Sequence, residues 1–534
     1  IYIGAQFLFR SRDFGQTWDR ISPDLTTNDP LKQKQEQSGG VTVDNSSAEM
    51  HTTIFSIAES PKNGNVIWVG TDDGNLHLSK DGGKTWTNVV AHIAGLPKNA
   101  WVTSVEPGHF DEGTIYATFD LHTFGDMKPY AYRSTDYGAT WTPLVAPDSP
   151  VRGYAHVIKE DLVNKDLLFL GTEFGLWVSL DGGQQWARYK GGDMPAVAVR
   201  DLAIHPRDND LVIATHGRGI WIVDDITPLR GLTPAVLAST AAFLPQRPTV
   251  QRLQAGGGWA NGDAAVVGPN PPDDAVITYY QRRRHIFGDM KLEVFDPTGK
   301  LLATIPTSKR RGLSRVTWSM RLPPPHVPVA ASVAGGATVG PRVLPGTYTV
   351  KLTKDTAVYT TQLSLVPDPR AHYTDADRQA ALDLAMKISA TLSDMTYTVD
   401  RMNAVRQGLE ARARQLPAKD ALAARLNTAS DAVDELRKKI VATKEGGMIT
   451  GEERLREYIT DLYGGVIFYD GPPSATELQN ADALARELAD VTRDFDAWVA
   501  KSLPPLNADL AKKKAAPVQV PTRAQWDAMN AARE

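Results

Sequence analysis

The sequence contains no cysteine, which excludes disulfides, thiolate metal sites and thiol catalysis together. It has no run of 18 or more apolar residues, so no stretch is a candidate for crossing a bilayer as a helix. Charge of one sign is also lacking. The 58 Lys and Arg against 62 Asp and Glu leave a net charge of -4 over 534 residues, with no general field for nucleic acid. The basic runs Arg282-Arg283-Arg284 and Lys309-Arg310-Arg311 read as solvated strand ends or loops rather than a phosphate or lipid site. The 11 histidines show no His-x3-His spacing, and phosphate-loop, dinucleotide and Gly-x-Ser-x-Gly patterns are missing. No metal site and no cofactor is expected. The chain opens inside an apparent strand, Ile1-Tyr2-Ile3-Gly4, without an initiator Met or signal peptide, so an N-terminal portion is expected to be missing.

What is present is a repeat. Ser-x-Asp-x-Gly-x-x-Trp occurs at Ser11/Asp13/Gly15/Trp18, Ser79/Asp81/Gly83/Trp86, Ser134/Asp136/Gly138/Trp141 and Ser179/Asp181/Gly183/Trp186. The spacing, approaching 45 residues, suits four-stranded β-propeller blades with loop insertions. The octad has the chemistry of a reinforced hairpin turn: Asp accepts backbone N–H groups, Gly takes positive φ, and Trp closes the apolar layer between blades. These aspartates are therefore read as structural. Strand pairs precede the boxes at Val66–Gly74, Thr114–Thr118 and Leu168–Gly175, and a fifth copy at Leu211–Trp221 ends in Val223-Asp224-Asp225 without a box. Five units are fewer than the roughly six to eight that most rings need, so missing sequence or another chain is expected to complete the propeller, in a possible oligomer.

Residues 226–274 are rich in Pro, Gly and Ala and read as a linker. Period-two runs from Ala275 to Val366, with a hairpin turn at Asp296-Pro297-Thr298-Gly299, argue for an immunoglobulin or fibronectin-like β-sandwich over 275–369. Residues 323–341 read as a Pro/Ala/Gly loop within it. Beyond Pro369 the period becomes helical. Leu384, Ile388, Leu392, Met395, Val399, Met402 and Leu409 share one stripe after a Thr374 cap. Further stripes at Leu422–Ile440, Leu455–Leu462 and Leu478–Phe495 complete a bundle of about four helices over 370–510, with 511–534 as an extension. The fold class expected is mainly β: Asp-box blades over 1–225, a sandwich, then a helical bundle.

Ile67-Trp68-Val69-Gly70-Thr71-Asp72-Asp73-Gly74-Asn75, Gly171-Thr172-Glu173-Phe174-Gly175-Leu176 and Ala214-Thr215-His216-Gly217-Arg218-Gly219-Ile220-Trp221-Ile222-Val223-Asp224-Asp225 carry a family resemblance. So do Leu344–Val350 and Val366–Arg370. The chain resembles the C-terminal half of large exported bacterial proteins with a sortilin-type, Asp-box (BNR-like) propeller, often labelled glycosyl hydrolase by repeat similarity. The resemblance implies an extracytoplasmic location, periplasmic or secreted, and no assigned reaction.

Carboxylates near strand ends are Asp72, Asp73, Asp120, Asp126 and Glu173, with His122, His216 and Arg218 close by in the repeat frame. Glycoside hydrolysis needs two carboxyl groups flanking the scissile bond. The three-arginine clamp of sialidases is not recognisable among the propeller arginines. Asp72, Asp73, His122, Asp126, Glu173, His216 and Arg218 are therefore candidate ligand-binding residues, and no catalytic set is identified. The leading expectation is a recognition or scaffold protein whose propeller binds a protein, peptide or glycan. The alternative is an exported glycoside hydrolase using a carboxylate pair at the propeller mouth.

Overall fold

Short runs of β-branched and aromatic residues between Gly, Asn and Asp turns give antiparallel sheets of three or four strands. The computed structural model describes residues 1–37, 51–253, 270–417, 419–444 and 451–531. The chain divides into two compact units, residues 1–247 with 278–283, and 248–277 with 284–534.

The first unit carries five blades. Blade one holds β1 (Tyr2–Gly4), β2 (Leu8–Arg10) and β3 (Asp19–Arg20). Blade two holds β4 (Ile54–Glu59), β5 (Ile67–Thr71), β6 (Leu76–Ser79) and β7 (Thr87–Asn88). Blade three holds β8 (Trp101–Pro107), β9 (Ile115–Leu121), β10 (Asp126–Ser134) and β11 (Thr142–Pro143). Blade four holds β12 (Ala155–Glu160), β13 (Leu168–Thr172), β14 (Gly175–Ser179) and β15 (Ala187–Arg188). Blade five holds β16 (Val199–Ile204), β17 (Leu211–Thr215) and β18 (Ile220–Val223). Strands β4, β8, β12 and β16 pack against one another in succession and form the inner wall.

Blades approach closely because the second strand carries a glycine. A Cβ on Gly70 would lie 2.4 Å from Val102 of the next blade, and one on Gly171 would lie 2.7 Å from Val199. The apolar side chains around these contacts, among them Trp68, Phe119 and Phe169, are fully buried.

After blade five, the stretch read as a linker is partly built. Helices α1 (Thr227–Arg230) and α2 (Pro234–Ala238) and strand β19 (Ala241–Phe243) belong to the first unit, and β20 (Thr249–Gln251) to the second. Here Pro sets helix starts, with Thr233 as the α2 cap. Arg230 anchors the segment by donating two 2.9 Å hydrogen bonds to the buried Asp161 carboxylate. The Gly-rich run Ala255–Gly258 lies outside the described residues. Strand β21 (Ala275–Gln281) pairs antiparallel with β19, Ala241 opposite Gln281.

In the second unit, β22 (Met290–Phe295), β23 (Leu301–Ile305), β25 (Gly346–Lys354) and β26 (Ala357–Pro367) join β20 in a five-stranded sheet ordered β20-β26-β25-β22-β23; β24 (Gly312–Trp318) lies between β23 and β25 in sequence. The Asp296 carboxylate closes the β22–β23 turn, accepting from the Thr298 and Lys300 amides at 2.9 Å each. Helices α3 (Asp375–Gln415), α4 (Ala421–Ile440), α5 (Leu455–Ile467) and α6 (Ala475–Lys512) share one core, and Thr374 starts α3 in a capping box with Asp377. Every stripe residue from Leu384 to Leu409 named above is buried. Leu478 differs: it sits in the first turn of α6 and is exposed. The segment read as an extension is also structured. Buried Leu503, Leu506 and Leu510 carry α6 past Pro504 and Pro505, and α7 (Arg523–Ala531) docks by the Trp526 indole donating to Asp400 at 2.8 Å.

Candidate functional site

The two ends of the blades do different work. At one end lie the boxes, between the third and fourth strands of blades two to four and between β2 and β3 of blade one. In each, the Ser hydroxyl donates to the Asp carboxylate at 2.7 to 2.9 Å, and the Gly amide donates back to the Ser oxygen at 2.7 to 2.8 Å. The same carboxylate accepts from the amide four residues on at 2.9 Å, at Thr17, Thr85, Thr140 and Gln185. The amide and hydroxyl of that threonine pull Asp13, Asp81 and Asp136 down to about 2. Gly15, Gly83, Gly138 and Gly183 have φ between 81 and 96°. All four acids are occupied by the turn.

Within this shared pattern the boxes differ in detail. Asp181 meets Gln185 where the other three acids meet a threonine, so it gains the amide but no hydroxyl. Gln184 donates instead to the Asp181 backbone carbonyl, at 3.2 Å. Trp18, Trp86 and Trp141 are half-buried where Trp186 is buried, and the Trp141 indole donates to Gly138 of its own turn at 3.1 Å as the Trp18 indole does to Gly15 at 3.0 Å. The polar link to the preceding blade comes from His92, whose Nδ1 lies 2.8 Å from that same Gly138 carbonyl.

At the other end is the mouth, and a feature invisible in the repeat shapes it. All four inner strands break register at the same place, between Ile54 and Ser56, Val102 and Ser104, Ala155 and Val157, and Val199 and Asp201. The bulged residues are Phe55, Thr103, His156 and Arg200. A bulge re-aims its side chain away from strict alternation, and bulges recur at barrel rims beside active sites.

These residues and their neighbours link blade to blade. Phe55, 52% exposed, meets Trp101 edge-on at 4.7 Å. Thr103 contacts the Ala155 carbonyl at 3.3 Å. His122 stacks on Tyr154 at 4.4 Å and 14°, and its Nδ1 lies 2.7 Å from the buried Asp120 carboxylate. Tyr154 meets His156 edge-on at 4.6 Å, and the Arg200 guanidinium donates to the His156 ring. Glu173 closes the cluster, with Oε2 4.0 Å from His156 and 3.9 Å from Arg200. Burial, then the charges of Arg200, His122 and His216, lowers His156 to about 3, so its ring is neutral at pH 7. Burial and the Glu173 carboxylate raise Tyr154 to about 12.

Thus Glu173, His122 and His216 surround residues that the sequence did not single out: Tyr154, His156 and Arg200. Asp72 and Asp73 lie in blade two. Asp73 is a structural tie, buried and accepting from the Thr27 amide and hydroxyl and from Thr71. Asp72 accepts from the Thr53 amide at 2.8 Å and hydroxyl at 2.9 Å, with His51 at 3.7 Å, and burial raises its pKa. Asp126 accepts from the Tyr130 hydroxyl at 2.8 Å within its own hairpin. Arg218 is exposed on the β17–β18 turn, its carbonyl held by the Trp221 indole at 3.0 Å. Among the described residues, no group of three or more His, Asp or Glu is arranged to hold a metal ion, and no helix is long and apolar enough to cross a membrane.

Residues 130–226, from blade three to the end of blade five, match the family model described as Sortilin-Vps10 (Sortilin, neurotensin receptor 3). This stretch is similar to a sortilin-type Asp-box segment. Over a wider span the chain is 26% identical across 195 residues to a xyloglucanase of Hypocrea jecorina, covering 34% of this chain and 23% of that protein. It is 24% identical across 192 residues to the xyloglucanase Xgh74A of Acetivibrio thermocellus, covering 34% and 22%. The chain thus spans less than a quarter of the length of these curated relatives. Among solved structures, the GH74 xyloglucanase from Xanthomonas campestris aligns at a TM-score of 0.31 and 21% identity, over 44% of this chain and 36% of that one. The sortilin-type segment contains His156, Glu173, Arg200 and His216 but not Asp72.

A separate cleft of about 70 Å³ opens in the second unit, lined in part by Leu253, Arg342, Arg378, Ile467 and Tyr469. It has room for a few water molecules.

Proposed function

We propose that the propeller mouth binds a polysaccharide and that the protein acts on it as a glycoside hydrolase. The observation that carries this reading is the run of side chains from blade two to blade five. It includes an exposed aromatic edge at Phe55 and two carboxylates in unlike surroundings, Asp72 and Glu173. Sugar rings present apolar C–H faces to aromatic residues and hydroxyls to polar ones, and the mouth offers both. Burial favours the protonated form of Asp72, which suits a proton donor to a leaving oxygen. Glu173 faces the Arg200 guanidinium at 3.9 Å through Oε2, which is buried and takes no hydrogen bond among the described residues, and it is the candidate for the opposing carboxylate. The names of the curated relatives, both xyloglucanases, support a β-glucan as the first substrate to test.

The test is release of reducing ends from a panel of soluble β-glucans including xyloglucan. Turnover should fall about 100-fold or more in Asp72→Asn and in Glu173→Gln, as for loss of a catalytic acid or base. No turnover by the folded protein on any glucan sinks the hydrolase reading. A second reading, recognition without cleavage, is favoured by one observation: both Asp72 oxygens are already engaged by Thr53. It calls for glucan retention on an affinity gel, lost in Phe55→Ala, with no product formed. Either reading fits an extracytoplasmic protein, because such polymers lie outside the cytoplasm; fractionation of the native source checks that.

A further inference from the structure

The basic runs that end at Arg284 and begin at Lys309 each look solvated when taken alone, and the fold sets them side by side. The loop between β21 and β22 is clipped to the loop between β23 and β24 by the His285 amide, which donates to the Lys309 carbonyl at 2.9 Å. Arg284, Lys309, Arg310 and Arg311 are all exposed there. Among the described residues Arg284, Lys309 and Arg311 have no carboxylate partner. The acids at this end are Asp289 and Asp355. Asp355 sits on the β25–β26 turn, its amide donating to the Asp289 carbonyl at 2.9 Å and its carboxylate 3.9 Å from the His285 ring. Cations thus outnumber acids here, on a chain whose net charge is -4.

Large apolar side chains stand among those cations. Phe287 is 85% exposed and Ile286 67%, while His285 just before them is buried. The exposure is built into the loop. Gly288 takes a φ of 88°, with the Asp355 carboxylate packed where a side chain at 288 would go, and His285 Nε2 lies 3.2 Å from the Gly288 carbonyl. His285 and Gly288 therefore hold the two residues between them outward. A polyanion in water would neutralise the arginines and leave Phe287 wet. The interface of a bilayer serves both, because its phosphates meet the cations and its acyl boundary takes the apolar pair.

We propose that this loop end of the five-stranded sheet binds the surface of an anionic phospholipid bilayer, with Ile286 and Phe287 entering the headgroup layer and Arg284, Lys309 and Arg311 meeting lipid phosphates. The inference is independent of what the propeller mouth takes. One apolar pair and a few cations make a peripheral, reversible attachment that weakens as salt is raised.

The test is sedimentation of the 534-residue chain with vesicles of phosphatidylcholine alone, and with vesicles in which about one-third of the lipid is phosphatidylglycerol. The bound fraction should rise about tenfold or more on the anionic vesicles and fall with added salt. Two double variants at exposed positions, Ile286→Ser with Phe287→Ser and Lys309→Glu with Arg311→Glu, should each keep the parent Tm and lose most of that binding. Because the chain has no cysteine, Phe287→Cys takes a single polarity-sensitive dye. Its emission should shift to the blue on anionic vesicles and not with dextran sulfate. Equal binding to both kinds of vesicle overturns the proposal, as does binding that survives in both variants. Tight binding of dextran sulfate, lost only in the charge variant and with no dye shift on vesicles, would make the patch a polyanion site and overturns it too.

Discussion

Two titrating groups separate the ends of the propeller. Asp81 is held at about 2 in the fold against 3.8 in the open chain. A lowered folded value gives stability that is present above pH 3.8 and lost as the pH falls toward 2. His156 is held at about 3 against 6.5. It also gives stability lost on acidification, but the loss begins near pH 6.5. Thermal melts from pH 8 to 2.5 should therefore show His156→Gln flattening the fall between pH 6.5 and 4, and Asp81→Asn flattening only the fall below about pH 4. The boxes were readable in advance because each donor to Asp81 lies within four residues of it. The different surroundings of Trp141 were not, because the partner that replaces its reach to blade two, His92, lies 46 residues from Gly138. His156 and Arg200 escaped notice for a related reason: they meet each other across blades four and five, 44 residues apart, and a bulge breaks the alternation that would mark them. One signal was available: Phe55, Thr103, His156 and Arg200 each precede the threonine of the following strand, Thr71, Thr118, Thr172 and Thr215, by 15 or 16 residues.

At the scale of the element, the second-strand glycine sets how near one blade comes to the next. Gly171→Ala would drive a methyl group to 2.6 Å from Val157 and 2.7 Å from Val199, both packed backbone-near atoms. The expected cost is about 1 to 3 kcal/mol, as for other overpacked cores, read from the shift in urea midpoint. Strand order within blades was legible because hairpins are local. The elements in 226–274 and 511–534 were not: α1, α2 and α7 are short, and their anchors, Asp161 and Asp400, are distant in sequence. Composition reported the breaks in these segments and could not report the docking.

At the scale of the molecule, each of the two units has cores of its own. Phe495, fully buried in α6, belongs to the helical core alone. Phe495→Ala should cost about 3 to 5 kcal/mol there, and in calorimetry it should lower one transition while leaving the propeller transition in place. A single transition that moves as a whole would show the units unfolding together. The bulge shared by β4, β8, β12 and β16 bears on how such a molecule changes its target. Each inner strand exempts one rim position from the packing rules that bind its neighbours. The two exposed members, Phe55 and Arg200, are thereby open to variation in size and charge while the wall behind them, with His156 buried in it, stays the same. A ligand preference is rewritten at Phe55 and Arg200 with few adjustments elsewhere, as one changes the bits of a key without recutting its shaft.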